Sequence, residues 1–208
     1  MQQVDPPEGP RTNEIVALTG EELERLIKAF EGTPHYVPVA LAARTGLRRD
    51  EVLALSVGDI DAAEGLLRVR RIIEDVPPGG DATRFAEPQF AQSREPIHLD
   101  DTALKLLREH LAQHLAETSL RGGSNMAPDR LLFARADGLP FTLSAFEKAF
   151  YDVAEQAGFP GLRFHHLRDT LAVRLVQAGE PISVVAERMR HPNSVTTSRR
   201  YAPFAEHG

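Results

Sequence analysis

The chain has 208 residues, of which 42% are hydrophobic, and this is enough for one substantial core or two small ones. It contains no cysteine, which excludes disulfides and thiolate metal sites. The formal net charge of −6 argues against a strong non-specific hold on nucleic acid, and no apolar run approaches the length that a bilayer span needs.

The first residues are predicted to lead into one folded domain. Residues 1–13 are rich in proline and polar side chains, so we expect a flexible lead-in, followed by a single domain over 14–208. Thr19 and Glu22 have the spacing of a capping box, and apolar residues at helical intervals follow them. This pattern predicts a first helix that begins after Thr19 and runs to about residue 31.

The middle of the chain is predicted to form a small sheet between helices. Residues 66–73 are rich in aliphatic side chains and lie between Gly65 and the PPGG sequence at 77–80, which indicates a strand and a wide turn. Short strands at 85–90 and 94–99 complete a three-stranded antiparallel sheet. Further helices are predicted at 34–43, 50–55, 100–116, 143–157, 166–178, 181–189 and 194–201. The fold class is therefore α+β and mainly α-helical.

The HHLR sequence at 165–168 predicts an anion site. His165 and Arg168 are three residues apart at a helix start, so they lie on neighbouring faces. A helix start already favours anions, and a guanidinium can bind two phosphate oxygens at once. The alternative is a surface arginine and a capping histidine.

Tyr201 is a candidate nucleophile because a basic, polar sequence, TTSRR at 196–200, precedes it. A tyrosine has an ordinary pKa of about 10, so it needs cations or a base nearby to attack a phosphodiester. Arg48, in the sequence ARTGLRRDE, offers a second arginine for a phosphate clamp. His191 lies at a predicted helix end, where a satisfied polar group is the alternative.

Charge is distributed unevenly along the sequence. Residues 161–201 hold seven arginines against three acids, whereas residues 1–31 hold seven acids against three bases. The basic segment is also the one with the histidines and the tyrosine, which favours a binding surface for phosphates. Chance scatter over a solvated surface is the alternative.

These motifs resemble those of the tyrosine recombinases, the phage-integrase family of site-specific DNA recombinases. The TGLR sequence at 45–48 with Glu51 is similar to the first arginine box of that family. The HHLRDT sequence at 165–170 is similar to its His-x-x-Arg box, and residues 190–201 are similar to its final box. The resemblance covers residues 14–203 and implies the catalytic-domain fold of these enzymes.

The resemblance implies a role for each residue. Arg48 and Arg168 would clamp the scissile phosphate, and His165 would manage protons. His191 would hydrogen-bond the phosphate. Tyr201 would form a covalent 3′-phosphotyrosyl link and release a 5′-hydroxyl.

The resemblance also implies partners and a location. Glu51 would orient an arginine, no metal or other cofactor would be needed, and Arg94, Arg163 and Arg199 are candidate DNA contacts. The partner would be double-stranded DNA at a specific recombination site, bound by a possible homo-tetramer. We expect a cytoplasmic, nucleoid-associated protein that does not enter a membrane, since residues 1–11 lack a signal-peptide pattern.

Gln89 stands where the resemblance implies a lysine that protonates the leaving 5′-oxygen. Glutamine cannot donate that proton, and losing a general acid typically costs about 10²–10⁴ in rate. The second hypothesis is therefore a catalytically weakened relative that binds DNA as an accessory or regulator. Topoisomerase-like relaxation is a third. We also expect no amino-terminal DNA-clamp domain before residue 14 and only a short tail after Tyr201.

Overall fold

The fold is known from a computed structural model that describes residues 15–74, 83–120, 127–191 and 194–207. The predicted lead-in at 1–13 lies outside the described residues. Helices make up most of the described chain, as the sequence predicts. They are α1 (Gly20–Ala29), α2 (Tyr36–Thr45), α3 (Arg49–Ala54), α4 (Asp101–Leu120), α5 (Leu143–Gln156), α6 (His166–Gln177), α7 (Ile182–Arg188) and α8 (Ser194–Tyr201).

The predicted capping box at the first helix is confirmed. The backbone N–H of Glu22 donates to the hydroxyl of Thr19 at 3.2 Å, and the backbone N–H of Thr19 donates to the carboxylate of Glu22 at 2.8 Å. These two bonds satisfy donors that the start of a helix leaves without partners. They fix the residue at which α1 begins.

A three-stranded antiparallel sheet is present, but its strands differ from the three predicted segments. Five short strands are described: β1 (Ile60–Asp61), β2 (Leu66–Leu67), β3 (Ile72–Glu74), β4 (Arg84–Ala86) and β5 (Ile97–His98). They form a three-stranded sheet in the order β1-β2-β5 and a separate β3–β4 pair. The prediction of one strand over 66–73 is wrong, because that segment supplies β2 to one sheet and β3 to the other.

The break between β2 and β3 contains two adjacent arginines. Leu67 and Val69 are buried at alternate positions, as in a strand with one buried face. Arg70 and Arg71 follow in succession, and the next buried residue is Ile72. Ile72 and Ile73 are both buried, so the segment changes at the arginines from one buried face in β2 to two buried faces in β3.

Two hydrophobic clusters hold the helices together and place the motifs. In the larger one, Phe164 packs edge-on against Phe146 and Phe150, with ring centroids 5.4 Å apart in each pair. Because Phe164 is fixed in this core, the HHLR sequence that follows it begins at a rigid point. The smaller cluster is built from α6, α7 and α8 and includes Tyr201.

Within the part of the chain that the structure describes, no helix combines the length and the apolar character that crossing a membrane requires.

Candidate active site

Arg48 lies at the turn between α2 and α3. Gly46 closes α2 in a left-handed conformation with a φ of 67°, and Arg48 is the N-cap residue of α3. Arg48 donates twice to the carboxylate of Glu51, from its backbone N–H at 2.8 Å and from Nη1 at 2.9 Å. The Arg48 side chain is thereby held at the helix start.

Arg168 lies in the first turn of α6 and is almost completely buried. Its guanidinium donates to the backbone carbonyls of Gly46 and Met189, so it joins the α2–α3 turn to the end of α7. Burial, followed by the positive charge of nearby Arg48, lowers the pKa of Arg168 to about 10. An anion close to both guanidiniums would relieve their repulsion, so this pair is a candidate site for a phosphate.

A cleft of about 920 Å³ opens beside the two arginines, and three of the five predicted catalytic residues line it. His165 lies at its wall, directly before α6, with its ring 4.1 Å from that of His166. Incomplete hydration of the ring lowers the pKa of His165, so the imidazole is mainly neutral near pH 7 and can accept a proton. The predicted residues that line the cleft are Arg48, Arg163, His165, Arg168 and Gln89.

The second histidine of the HHLR sequence has a structural contact. The backbone N–H of Arg163 donates to Nδ1 of His166 at 3.0 Å, which closes the turn before α6. Burial and the neighbouring His165 lower the pKa of His166 to about 4. His166 is therefore a neutral acceptor that shapes the turn.

Tyr201 lies at the end of α8 and is not among the described residues that line the cleft. Its side chain is only 1% exposed. The hydroxyl donates to Oδ1 of Asp169 at 2.6 Å, and the same carboxylate accepts from Nε of Arg200 at 3.2 Å and from Nη2 at 2.8 Å. Burial, and then the bond to Asp169, raise the pKa of Tyr201 far above its ordinary value. The candidate nucleophile is thus held protonated.

His191 packs flat against Tyr201. The two rings are parallel to within 5° with centroids 6.3 Å apart, and Nδ1 of His191 shares a hydrogen bond of 2.7 Å with the hydroxyl of Thr197. Burial, and then the positive charges of Arg168 and Arg48, lower the pKa of His191 to about 4. The ring is therefore neutral near pH 7 and serves as a hydrogen-bonding group.

Gln89, at the position where the family resemblance implies a lysine, lines the cleft. It is exposed and follows the buried Pro88. The three lysines of the chain are elsewhere: Lys28 is on α1, Lys105 on α4 and Lys148 on α5. The described lining of the cleft therefore includes arginines and a histidine but no lysine.

The three candidate DNA contacts lie in different places. Arg163 lines the cleft, with its guanidinium 5.4 Å from the ring centroid of Tyr151. Arg94 is exposed and pairs with Glu87 at 2.7 Å, and Arg199 is exposed on α8. The structure thus places Arg163 in the cleft and leaves Arg94 and Arg199 exposed outside it.

Two residues that sequence reasoning did not select belong to the site. Asp169 holds the hydroxyl of Tyr201, and Arg190 pairs with Glu51 through Nη2 and Oε2 at 2.6 Å. Burial acts to raise the pKa of Glu51, but the charge of Arg190 and the bonds from Arg48 outweigh it and lower that pKa. The acidic residue in the HHLRDT sequence was a visible signal for Asp169, whereas no sequence pattern indicates the contact of Arg190.

The sequence is similar to known integrases and recombinases. It is 29% identical over 204 residues to a XerC-like tyrosine recombinase of Caldanaerobacter subterraneus, a match that covers 94% of this chain and 52% of the relative. It is 29% identical over 198 residues to the integrase of Salmonella phage P22, with 94% of this chain and 46% of the relative covered. The chain thus spans about half the length of the curated relatives that it matches.

Solved structures share the fold. The integrase of transposon Tn1549, solved in complex with circular intermediate DNA, matches with a TM-score of 0.77 and 20% identity over 92% of this chain and 64% of that one. The XerA recombinase matches with a TM-score of 0.66 and 24% identity over 94% and 61%.

The sequence model of the Phage integrase family matches residues 17–207, a range that contains all three boxes, the last of which ends in Tyr201. Since this match covers nearly the whole chain and the fold agrees, the chain belongs to the phage integrase family.

Proposed function

We propose that residues 14–208 are the catalytic domain of a site-specific DNA recombinase or integrase, which cleaves and rejoins DNA through a 3′-phosphotyrosyl intermediate. The observation that carries the proposal is the placement of Arg48, Arg168 and His165 on one cleft. The helix that ends in Tyr201 packs against the helix that begins after His165. Catalysis of phosphoryl transfer depends mainly on positioning and charge neutralisation, which two fixed arginines supply.

The reaction would be an in-line displacement at phosphorus. Tyr201 first leaves Asp169, because its oxygen is bonded there and Tyr201 is not among the described residues that line the cleft. The phenolic oxygen then attacks the phosphorus while its proton passes to neutral His165. Arg48 and Arg168 neutralise the charge on the phosphate oxygens, and the neutral ring of His191 hydrogen-bonds one of them. The bond from phosphorus to the 5′-oxygen breaks, and that oxygen takes its proton from solvent water as it leaves, because no lysine is among the described residues of the cleft.

The partner in this proposal is double-stranded DNA at a specific recombination site. Arg163 would contact the DNA backbone at the cleft. The exposed Arg94 and Arg199 would contact DNA phosphates outside it. Recombination requires several protomers on one DNA assembly, so we propose a homo-tetramer on DNA, in the cytoplasm at the nucleoid. The DNA complex of the Tn1549 integrase supports this choice of partner.

The experiment is the trapping of the covalent intermediate. The protein is incubated with a nicked duplex that carries its recombination site, so that the short cleaved strand diffuses away and rejoining cannot follow. A protein–DNA adduct on a denaturing gel is expected with the wild type and with the control Tyr151→Phe, and none with Tyr201→Phe. No adduct with the wild type would contradict the enzymatic proposal, and an adduct with Tyr201→Phe would contradict the choice of nucleophile.

A catalytically weakened DNA-binding accessory or regulator is the second candidate, and Gln89 favours it. The cleft offers no lysine among its described residues, so proton donation to the leaving oxygen lacks its usual group. Under this alternative, the wild type binds the site with a steep salt dependence but forms little adduct. Gln89→Lys separates the two cases, since a large gain in adduct shows an otherwise intact site and no gain favours a binding role.

A further inference from the structure

Arg190 has an unusual backbone for its residue type. It follows α7 with a φ of 49°, and among the described residues it is the one non-glycine with a positive φ. The backbone N–H of His191 donates to the carbonyl of Ala186 at 3.0 Å, five residues back, which is the closing bond of a glycine-type helix end. A side chain at such a position is unfavourable, so an arginine there indicates a compensating role of the side chain.

The side chain of Arg190 connects three parts of the site. It is 4% exposed, and its Nη2 donates to Oε2 of Glu51 at 2.6 Å. Its Nη1 donates to the backbone carbonyl of Ser93 at 2.9 Å, in the short 3₁₀ turn that follows Gln89. Its own backbone leads directly into His191. One buried guanidinium therefore links the start of α3, the turn beside the cleft and the final motif.

Arg190 also shares the negative charge of Glu51 with Arg48. The carboxylate of Glu51 divides its oxygens between two arginines, Oε1 to Nη1 of Arg48 and Oε2 to Nη2 of Arg190. With Arg190 present, the group of Arg48, Arg168, Arg190 and Glu51 has a net charge of +2. Without Arg190 the net charge would be +1, and Glu51 would be a buried carboxylate with Arg48 as its main partner.

We propose that Arg190 is a positioning residue that neutralises Glu51, so that Arg48 stays available to the scissile phosphate. The proposal rests on the phosphate-clamp role given above to Arg48 and Arg168. A phosphodiester has one negative charge, and attack by a deprotonated tyrosine adds a second. A clamp of net charge +2 matches that transition state, whereas a clamp of +1 does not.

The first test does not depend on DNA cleavage. The guanidinium Nε–H resonance of Arg48 is followed by NMR during titration with inorganic phosphate. We expect saturable shifts in the wild type, and an apparent affinity weaker by about tenfold in Arg190→Met, the effect of removing one partner of a buried charge pair. The control Arg188→Met, an exposed change at the end of α7, should titrate as the wild type does.

A double variant separates charge from structure. Removing the carboxylate in Arg190→Met/Glu51→Gln should recover most of the phosphate affinity, because Arg48 then has no buried anion to neutralise. Arg190→Lys should keep part of it. If Arg190→Met binds phosphate as the wild type does, or if the double variant is no better than Arg190→Met, the positioning role is contradicted. Failure of the wild type to bind phosphate at Arg48 overturns it as well.

Adduct formation is the second measurement, and it distinguishes the positioning role of Arg190 from the proposed recombinase function. With the nicked duplex, Arg190→Met should slow adduct formation about tenfold or more at saturating protein, and it should change little in the Arg48→Met background, because its effect passes through Arg48. Equal losses in both backgrounds would indicate general damage to the fold. A wild type that binds phosphate but forms no adduct contradicts the proposed function and leaves the positioning role of Arg190 supported.

Discussion

Tyr201 donates a hydrogen bond of 2.6 Å to Asp169, and neither residue is among the described residues that line the cleft beside Arg48 and Arg168. Arg200 shares the same carboxylate through two bonds, so Asp169 is itself fixed. The bond to a carboxylate favours the protonated phenol, which is the unreactive form. Under the proposed function, Tyr201 must therefore be released from Asp169 before it can attack.

The first prediction concerns Asp169→Asn. The negative charge and the charge-assisted bond are lost, so the pKa of Tyr201 should fall towards its ordinary value, although burial keeps part of the rise. Tyrosine ring resonances followed by ¹³C NMR against pH measure this directly. Asp152→Asn, a surface change on α5, is the matched control. An unchanged pKa of Tyr201 in Asp169→Asn would show that burial alone sets it.

The second prediction concerns acid stability. The pKa of His191 is about 4 in the folded protein, against an ordinary value of about 6.5 in the unfolded chain. The unfolded state therefore binds the proton more tightly, and the free energy of unfolding is at its full value above pH 6.5 and falls as the pH drops towards 4. With partial exposure taken into account, we expect a loss of about 1 kcal/mol between pH 7 and pH 5 from this residue.

Urea unfolding at several pH values tests the contribution of His191. His191→Gln should flatten the loss of stability between pH 7 and pH 5, while His98→Gln, at an exposed position on β5, should leave it as in the wild type. A slope that is the same in all three proteins would assign the acid sensitivity to other groups.

Local sequence signals were enough to predict the helices. The capping box at Thr19 predicted the start of α1, and the spacing of apolar residues predicted the rest of the helices in nearly their observed positions. The sheet was harder to predict, because residues 66–73 are rich in aliphatic side chains throughout and this composition does not show that β2 ends at Leu67 and β3 begins at Ile72.

The contacts that tune the site could not be predicted. Arg190 and Glu51 are 139 residues apart in the chain, and their pairing depends on where α7 ends relative to α3. The bond between Tyr201 and Asp169 joins residues 32 apart and depends on how α8 packs on α6. Such contacts are set by tertiary packing, about which a single sequence gives no periodic signal.

The third prediction concerns the leaving group. If Gln89 leaves the 5′-oxygen without a proton donor, then a nicked duplex with sulfur in place of that oxygen should react faster, since a thiol has a pKa of about 8.5 and leaves as a thiolate without protonation. Gln89→Lys should speed adduct formation on ordinary DNA by about 10²-fold or more, and should gain little on the sulfur substrate.

Gln92→Lys is the control for this comparison. Gln92 is exposed on the 3₁₀ turn after Gln89 but does not line the cleft among the described residues, so the same added charge should have a small effect on both substrates. A gain from Gln92→Lys equal to that from Gln89→Lys would indicate general attraction of DNA rather than proton donation.

The fourth prediction concerns Gly46, where the backbone conformation and the close packing both disfavour a side chain. Its φ is 67°, and a Cβ there would lie 3.0 Å from Cε of Met189 and 3.3 Å from a methyl group of Leu171. Its carbonyl also accepts a bond from Arg168. Gly46→Ala should therefore lower the free energy of unfolding by about 2–4 kcal/mol, from left-handed strain plus overpacking.

Gly138→Ala isolates the strain. Gly138 has a φ of 82° but open space around the added carbon, so its substitution should lower the free energy of unfolding by about 1–2 kcal/mol. The excess loss in Gly46→Ala measures the close approach of Met189, and it should come with weaker phosphate binding because Arg168 is bonded to both residues. Equal losses at the two glycines, with phosphate binding intact, would show that the α2–α3 turn can shift without disturbing the clamp.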